Sequence, residues 1–81
     1  MLATGAEWGL TMSTRFEVAI YNQTVRDLLR QGEHHKFLAD IWADLNFVEV
    51  RGVDEADARR AVERRYPAAQ GYKISKVFAL A

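Results

Sequence analysis

Residues 46–67 read NFVEVRGVDEADARRAVERRYP, and they predict a strand followed by a helix. In the first part, two valines alternate with polar neighbours, which is typical of a strand with one buried face. Asp54 is a good helix N-cap, because its side chain can accept from free backbone N–H groups. Pro67 ends the helix, because it has no N–H and clashes with the preceding turn. Helical spacing relates Ala58, Ala61, Val62 and Tyr66.

Two further stretches alternate in the same way and predict two more strands. In Arg15–Tyr21, every second residue is large and apolar, which puts one face of the strand in the core. These residues are Phe16, Val18 and Ile20. In Tyr72–Leu80, the alternation slips between Ile74 and Val77. A slip of this kind predicts a β-bulge or an early end of strand pairing.

The segment between the first two strands has helical spacing and a glycine in its middle. Its apolar residues are Val25, Leu28, Leu29, Phe37, Leu38, Ile41, Trp42 and Leu45. Asn22 or Thr24 can cap its start. Either one helix runs over about 24–45 and tolerates Gly32 at a cost of about 1 kcal/mol, or two helices meet there. Because glycine readily closes a helix, we expect a break at Gly32.

Together the elements predict an α+β fold. It is a two-layer sandwich in the order β-α-β-α-β, with a three-stranded sheet covered on one face by helices. The crossover helix makes the second and third strands parallel to each other, whereas the first connection allows either direction. The predicted inner face consists of Phe16, Val18, Ile20, Val48, Val50 and Ile74. The predicted cover consists of Val25, Leu28, Leu29, Leu38, Ile41, Leu45, Ala58, Val62 and Tyr66.

The chain has 81 residues, and we expect one small domain over residues 14–81. Residues 1–13 show no clear period, so we expect them to be a disordered or flexible extension. The competing interpretation is that Trp8 and Leu10 fold back as an anchor. The start lacks a signal-peptide pattern, and no apolar run approaches the roughly 20 residues of a membrane span. A cytoplasmic protein with no membrane partner is therefore expected.

Composition argues against most kinds of chemistry. Eleven basic and eleven acidic residues cancel, and there is no cysteine for a disulfide, a thiolate metal site or a nucleophile. His34 and His35 are adjacent and would point about 100° apart on a helix, so they cannot ligate one metal as a helical pair. No nucleophile elbow or glycine-rich phosphate loop is present. We therefore predict no enzyme, no catalytic residue, no cofactor and no metal site.

Basic residues cluster in and after the second predicted helix, with two tyrosines between them. The candidate nucleic-acid contacts are Arg59, Arg60, Arg64, Arg65, Lys73 and Lys76. However, residues 49–65 contain five arginines and five acids, so this segment has no net charge. The acids lie early and the arginines late in the helix, which suits the helix dipole. Weak nucleic-acid binding, of RNA or single-stranded DNA, is thus the alternative expectation and ranks behind a protein partner.

The polar face of the sheet is the other candidate surface. It should carry Arg15, Glu17, Tyr21, Glu49, Arg51, Lys73 and Ser75, whose opposite charges can pair across strands. Phe47 would share this face, and exposed aromatic residues often mark protein contacts. We name Trp42, Phe47 and Tyr21 as candidate protein contacts. The expected function is a non-enzymatic protein-interaction or accessory module. Its partner would be an unknown protein or, because open sheet edges invite pairing, a homodimer mate.

The stretch Val48–Pro67 also resembles a strand–helix unit found in many small bacterial and phage α+β domains. The unit covers about a quarter of the chain. It consists of a cap, an alanine-rich helix and a Tyr-Pro stop, all of which serve folding. The resemblance implies a fold and carries no activity and no site residue.

Overall fold

The computed structural model describes residues 13–80, in which three strands and two helices follow the predicted order. The elements are β1 (Thr14–Asn22), α1 (Gln23–Arg30), β2 (Asn46–Gly52), α2 (Glu55–Arg65) and β3 (Tyr72–Ala79). Short 3-10 turns cover Asp40–Ala43 and Ala68–Gln70. The α+β class and the β-α-β-α-β order are confirmed. Residues 1–12, with Trp8 and Leu10, lie outside the described residues, as does Ala81.

The sheet has the order β2-β1-β3, and β1 is antiparallel to both neighbours. Strands β2 and β3 are therefore parallel to each other without being adjacent, as the crossover helix predicts. The first connection, which the sequence left open, makes β2 antiparallel to β1. Pairing with β3 shifts by one residue where Ala19 is opposite Lys76 and Ile20 is opposite Ile74. The expected bulge is confirmed, and Ser75 is its extra residue.

The core lies between one face of the sheet and α2. The core residues are Phe16, Val18, Ile20, Val50, Ala58 and Val62, with Val48 and Ile74 packed against them in part. The predicted inner face is thus confirmed. Asp54 caps α2 as predicted, since its side chain accepts a hydrogen bond of 2.9 Å from the Asp57 N–H.

Asn22 connects the end of β1 with the loop before β3. Its side-chain oxygen accepts a 3.0 Å hydrogen bond from the Val25 N–H, so Asn22 and not Thr24 caps α1. Its amide donates to the Gln70 carbonyl at 3.1 Å. Gly71 lies beside it with φ of 98°, and a Cβ there would come within 2.7 Å of the Asn22 oxygen. Only glycine fits this close approach without strain.

The second half of the first helical region is not a helix. The break at Gly32 is confirmed, with φ of 76°, and the N–H groups of Gln31 and Glu33 close α1 on the Leu28 carbonyl. Ile41 is 61% exposed and Leu45 47%, so neither covers the sheet as predicted. The helical spacing of residues 37–45 has no surface to pack against, because the chain turns here to bring β2 beside β1. Trp42 takes the covering role, packed in part against the core.

Candidate protein-docking surface

We call the side of the sheet opposite to α2 the outer face. Its residues follow from the strand register: Arg15, Glu17, Ala19 and Tyr21 on β1, Phe47, Glu49 and Arg51 on β2, and Lys73, Lys76 and Phe78 on β3. All of them alternate with the inner residues of their strands. Ser75, expected here, instead occupies the bulge, and the shift that it causes brings Lys76 and Phe78 onto this face.

Two large aromatic side chains are exposed on the outer face. Phe47 lies opposite Ala19 and is 57% exposed, whereas Phe78 lies opposite Glu17 and is 42% exposed. Because they belong to the two outer strands, the rings flank β1 at about two strand spacings, roughly 10 Å. Ala19 is itself 1% exposed, since its small side chain lies between Phe47 and Lys76. Two exposed rings therefore flank the middle of the outer face, where Ala19 is covered.

One end of the outer face is closed by α1. The guanidinium group of Arg26 lies 3.9 Å from the centre of the Tyr21 ring, a distance typical of a cation–π contact. Its Nε and Nη2 atoms donate to the Ala43 carbonyl at 3.0 and 2.8 Å. Tyr21 is therefore half-buried and partly used within the chain. It can contribute only its remaining edge to a partner.

Trp42 does not join Phe47 in one surface. Its ring centre lies 5.6 Å from that of Tyr66 and 5.4 Å from that of Tyr72, which faces the inner side of the sheet. Tyr66 and Tyr72 are also in contact, at 5.2 Å. These three rings extend the core at the end of the sheet, so Trp42, named as a candidate protein contact, is packed in part against the core.

The basic candidates divide between two sides of the molecule. In α2, Arg59 pairs with Glu55 at 3.1 Å and Arg60 with Asp57 at 3.5 Å, as the helix spacing predicts. Arg64 and Arg65 form no ion pair within residues 13–80, although Arg65 approaches the Tyr66 ring. By contrast, Lys73 and Lys76 lie on the outer face of β3, although Lys73 also lines a cavity that Arg59 reaches from α2. The six residues therefore do not form one basic surface.

A shallow cavity of about 290 Å³ separates α2 from β3. It is lined by Ile20, Arg59, Val62, Glu63, Tyr66, Ala68, Tyr72, Lys73 and Ile74. Burial raises the pKa of Tyr72 above its usual value, with a smaller contribution from Tyr66. The phenol of Tyr72 therefore stays neutral at physiological pH and is a poor general base. The cavity has the chemistry of an incompletely covered core edge.

Both histidines form hydrogen bonds within the loop after α1. His34 Nδ1 lies 2.9 Å from an Asp40 carboxylate oxygen, and this hydrogen bond and charge raise the pKa of His34. His35 Nδ1 accepts from the N–H groups of Phe37 and Leu38, both at 3.0 Å. Within residues 13–80, no three His, Cys, Asp or Glu side chains are placed to hold a metal ion together.

Sequence reasoning placed neither Lys76 nor Phe78 on the outer face. The signal was present in the slip between Ile74 and Val77, because one extra residue reverses the faces of all the strand residues after it.

In the described part of the chain, neither helix has the length and hydrophobicity to span a bilayer. No protein-family model, curated protein or solved structure matches this chain significantly, so its outer face has to be interpreted from its own residues.

Proposed function

We propose that this protein is a non-enzymatic interaction module that binds a protein partner with the outer face of its sheet. The observation that carries the proposal is the exposure of Phe47 and Phe78 on either side of β1. The proposal retains the cytoplasmic location expected from the sequence.

The chemistry of the outer face fits a protein partner. Burying an exposed phenylalanine contributes roughly 1.5–3 kcal/mol, and aromatic residues are enriched in the buried centres of protein interfaces. Arg15, Glu49 and Arg51 surround the rings with charges of both signs, which resembles the polar rim of such interfaces. Mixed charge of this kind suits a protein surface better than the uniformly negative backbone of a nucleic acid.

Site-specific photocrosslinking tests the proposal. A benzophenone amino acid is placed at Phe47 or Phe78 of the full chain, and at the exposed Arg64 of α2 as the matched control. We expect protein adducts in extracts of the source cells from the first two positions and not from the third. The Phe47 adduct should disappear when Phe78 is also changed to Ser. Equal adducts from all three positions, or none from the outer face, would overturn the proposal.

The alternative, weak RNA or single-stranded DNA binding through Arg59–Lys76, has one supporting observation. Arg64 and Arg65 lie exposed in the last turn of α2 and are not paired with an acid within residues 13–80. Binding of a single-stranded oligonucleotide should then weaken steeply with salt and fall when both are changed to Ala. No oligonucleotide binding by the wild type would remove the alternative, and binding that survives this double change would remove Arg64 and Arg65 as its site.

A further inference from the structure

The charges of the outer face lie in rows that run across the strands. Arg15 is directly opposite Arg51, and Glu17 is directly opposite Glu49. We call the first pair the arginine row and the second the glutamate row. The rows are two residues apart along the strands, which is about 6.7 Å. Like charges directly opposite each other destabilise a sheet, so opposite signs across the strands would stabilise this sheet better than the observed order.

Pairing within the chain uses only part of these charges. Arg15 Nε lies 3.1 Å from a Glu49 carboxylate oxygen, a diagonal contact between partly exposed side chains. Arg51 contacts the Ser13 hydroxyl at 3.4 Å, and Glu17 forms no ion pair within residues 13–80. Alternating the signs across the strands would have paired all four directly. The rows therefore leave capacity for charges from outside the chain.

We propose that the outer face binds a second copy of this chain, face to face, about a twofold axis between the arginine row and the glutamate row. The axis lies in the interface and runs perpendicular to the strands. It places β1 over β1 of the second copy with reversed direction. Each arginine row then faces the glutamate row of the other copy, and the contact occurs twice, as symmetry requires. An axis parallel to the strands would instead put arginine on arginine.

The apolar residues agree with the same axis. Phe78 lies level with the glutamate row, and Leu80 lies level with the arginine row, since its N–H donates to the Arg15 carbonyl at 2.8 Å. Each Phe78 therefore faces Leu80 of the second copy. On β2, Phe47 lies just beyond the glutamate row, and the 60% exposed Val53 follows the strand beyond the arginine row. Apolar side chains thus meet apolar side chains when the charges are matched.

The small area of the outer face predicts a weak dimer. Three strands about 4.8 Å apart and some 20 Å long give a projected face of roughly 300 Å², whereas standard interfaces bury about 800 Å² on each partner. Stacked sheets lie about 10 Å apart, a gap that arginine, glutamate and phenylalanine side chains can fill from both sides. We therefore expect dimers at micromolar or higher concentration that dissociate on dilution.

The arrangement rests on the proposed function, and it can be tested by reversing charges in two separate variants that are then mixed. One variant carries Arg15→Glu with Arg51→Glu, and the other carries Glu17→Arg with Glu49→Arg. Both rows of each variant then carry the same sign, so self-association should weaken about a hundredfold. An equimolar mixture should associate again, because every row now faces the opposite charge. Sedimentation velocity measures the species, and circular dichroism establishes that each variant is folded.

A matched control separates the rows from general charge attraction. The variant Arg64→Glu with Arg65→Glu carries the same charge change as the first variant but on α2. Because its outer face is unchanged, it should keep its own homodimers, but mixed with Glu17→Arg, Glu49→Arg it should not draw that variant into dimers. A second check reverses all four row charges in one chain, which should restore the homodimer. Wild-type self-association without rescue in the mixture, or equal rescue by the α2 variant, would overturn the arrangement.

The crosslinking readout keeps this inference separate from the proposed function. If the wild type stays monomeric and Phe47 crosslinks to a different protein, the second copy is wrong and the interaction surface stands. If Phe47 crosslinks only to residues 1–12 of its own chain, that segment occupies the face and both proposals fail. If no adduct forms and the chain stays monomeric at all concentrations, both also fail.

Discussion

The two faces of the sheet differ in how deeply their apolar side chains are buried. Val18, Ile20 and Val50 point to α2 and are almost fully buried, whereas Phe47 and Phe78, on the same three strands, remain largely exposed. Period-two alternation sorts residues into faces but does not say which face a helix will cover. An apolar strand residue is therefore buried only when it lies on the side of the sheet against which α2 packs.

The largest effect should come from a charge on the inner face. Changing Val50→Asp puts a carboxylate between the sheet and α2, where no partner can compensate it, and should unfold the protein or cost at least about 3 kcal/mol. Thermal unfolding measures the loss. Arg51→Asp, one residue along on the outer face, is the control and should keep the fold. An unchanged midpoint for the Val50 variant would mean that the strand faces are wrongly assigned.

A smaller loss is expected at Asn22, the buried polar residue at the end of the inner face. Asn22→Ala removes the α1 cap and the bond to Gln70, and should lower the free energy of unfolding by about 2 kcal/mol. Urea denaturation measures this change. Thr24→Ala, at the other cap candidate, should have less than about 0.5 kcal/mol of effect. Equal losses at both positions would contradict the capping geometry.

Stability at alkaline pH should depend on Tyr72, which lies at the edge of the core. Because the folded-state pKa of Tyr72 is raised by burial, its contribution to stability is fully present below the unfolded pKa near 10 and is lost as pH rises through the folded value. Stability should therefore fall above about pH 10. In a pH titration followed by phenolate absorbance, one tyrosine should ionise at a higher pH than expected for a free phenol. Tyr72→Phe should remove that high-pH step. A high-pH step that persists in the variant would assign the burial to another ring.

The smallest effect on folding should come from the outer face. Phe47→Ser and Phe78→Ser should each change the free energy of unfolding by less than about 1 kcal/mol, because both rings lie exposed on the outer face. The same substitutions should abolish outer-face association in sedimentation. A loss of stability as large as that of an inner-face substitution would show that these rings pack within the chain, and the contrast between the faces would collapse.

Much of the fold could be predicted because its signals are local. Asp54 and Pro67 bound α2, and the slip between Ile74 and Val77 marks the bulge. The region after Gly32 could not be predicted, because its helical spacing matches a helix that finds no surface to cover. The exposed aromatic residues of the outer face were predicted in part: Phe47 was placed there, Phe78 was missed, and Trp42 packs in part against the core instead.

By itself, the sequence determined the strands, the helix between β2 and β3, and the sets of residues that share a face, since alternation and capping depend on neighbours along the chain. Only the tertiary structure decided the order β2-β1-β3, the direction of β2 and the turn at Asp40–Ala43. It also decided that two arginines and two glutamates form rows across the strands, because register joins residues more than thirty positions apart.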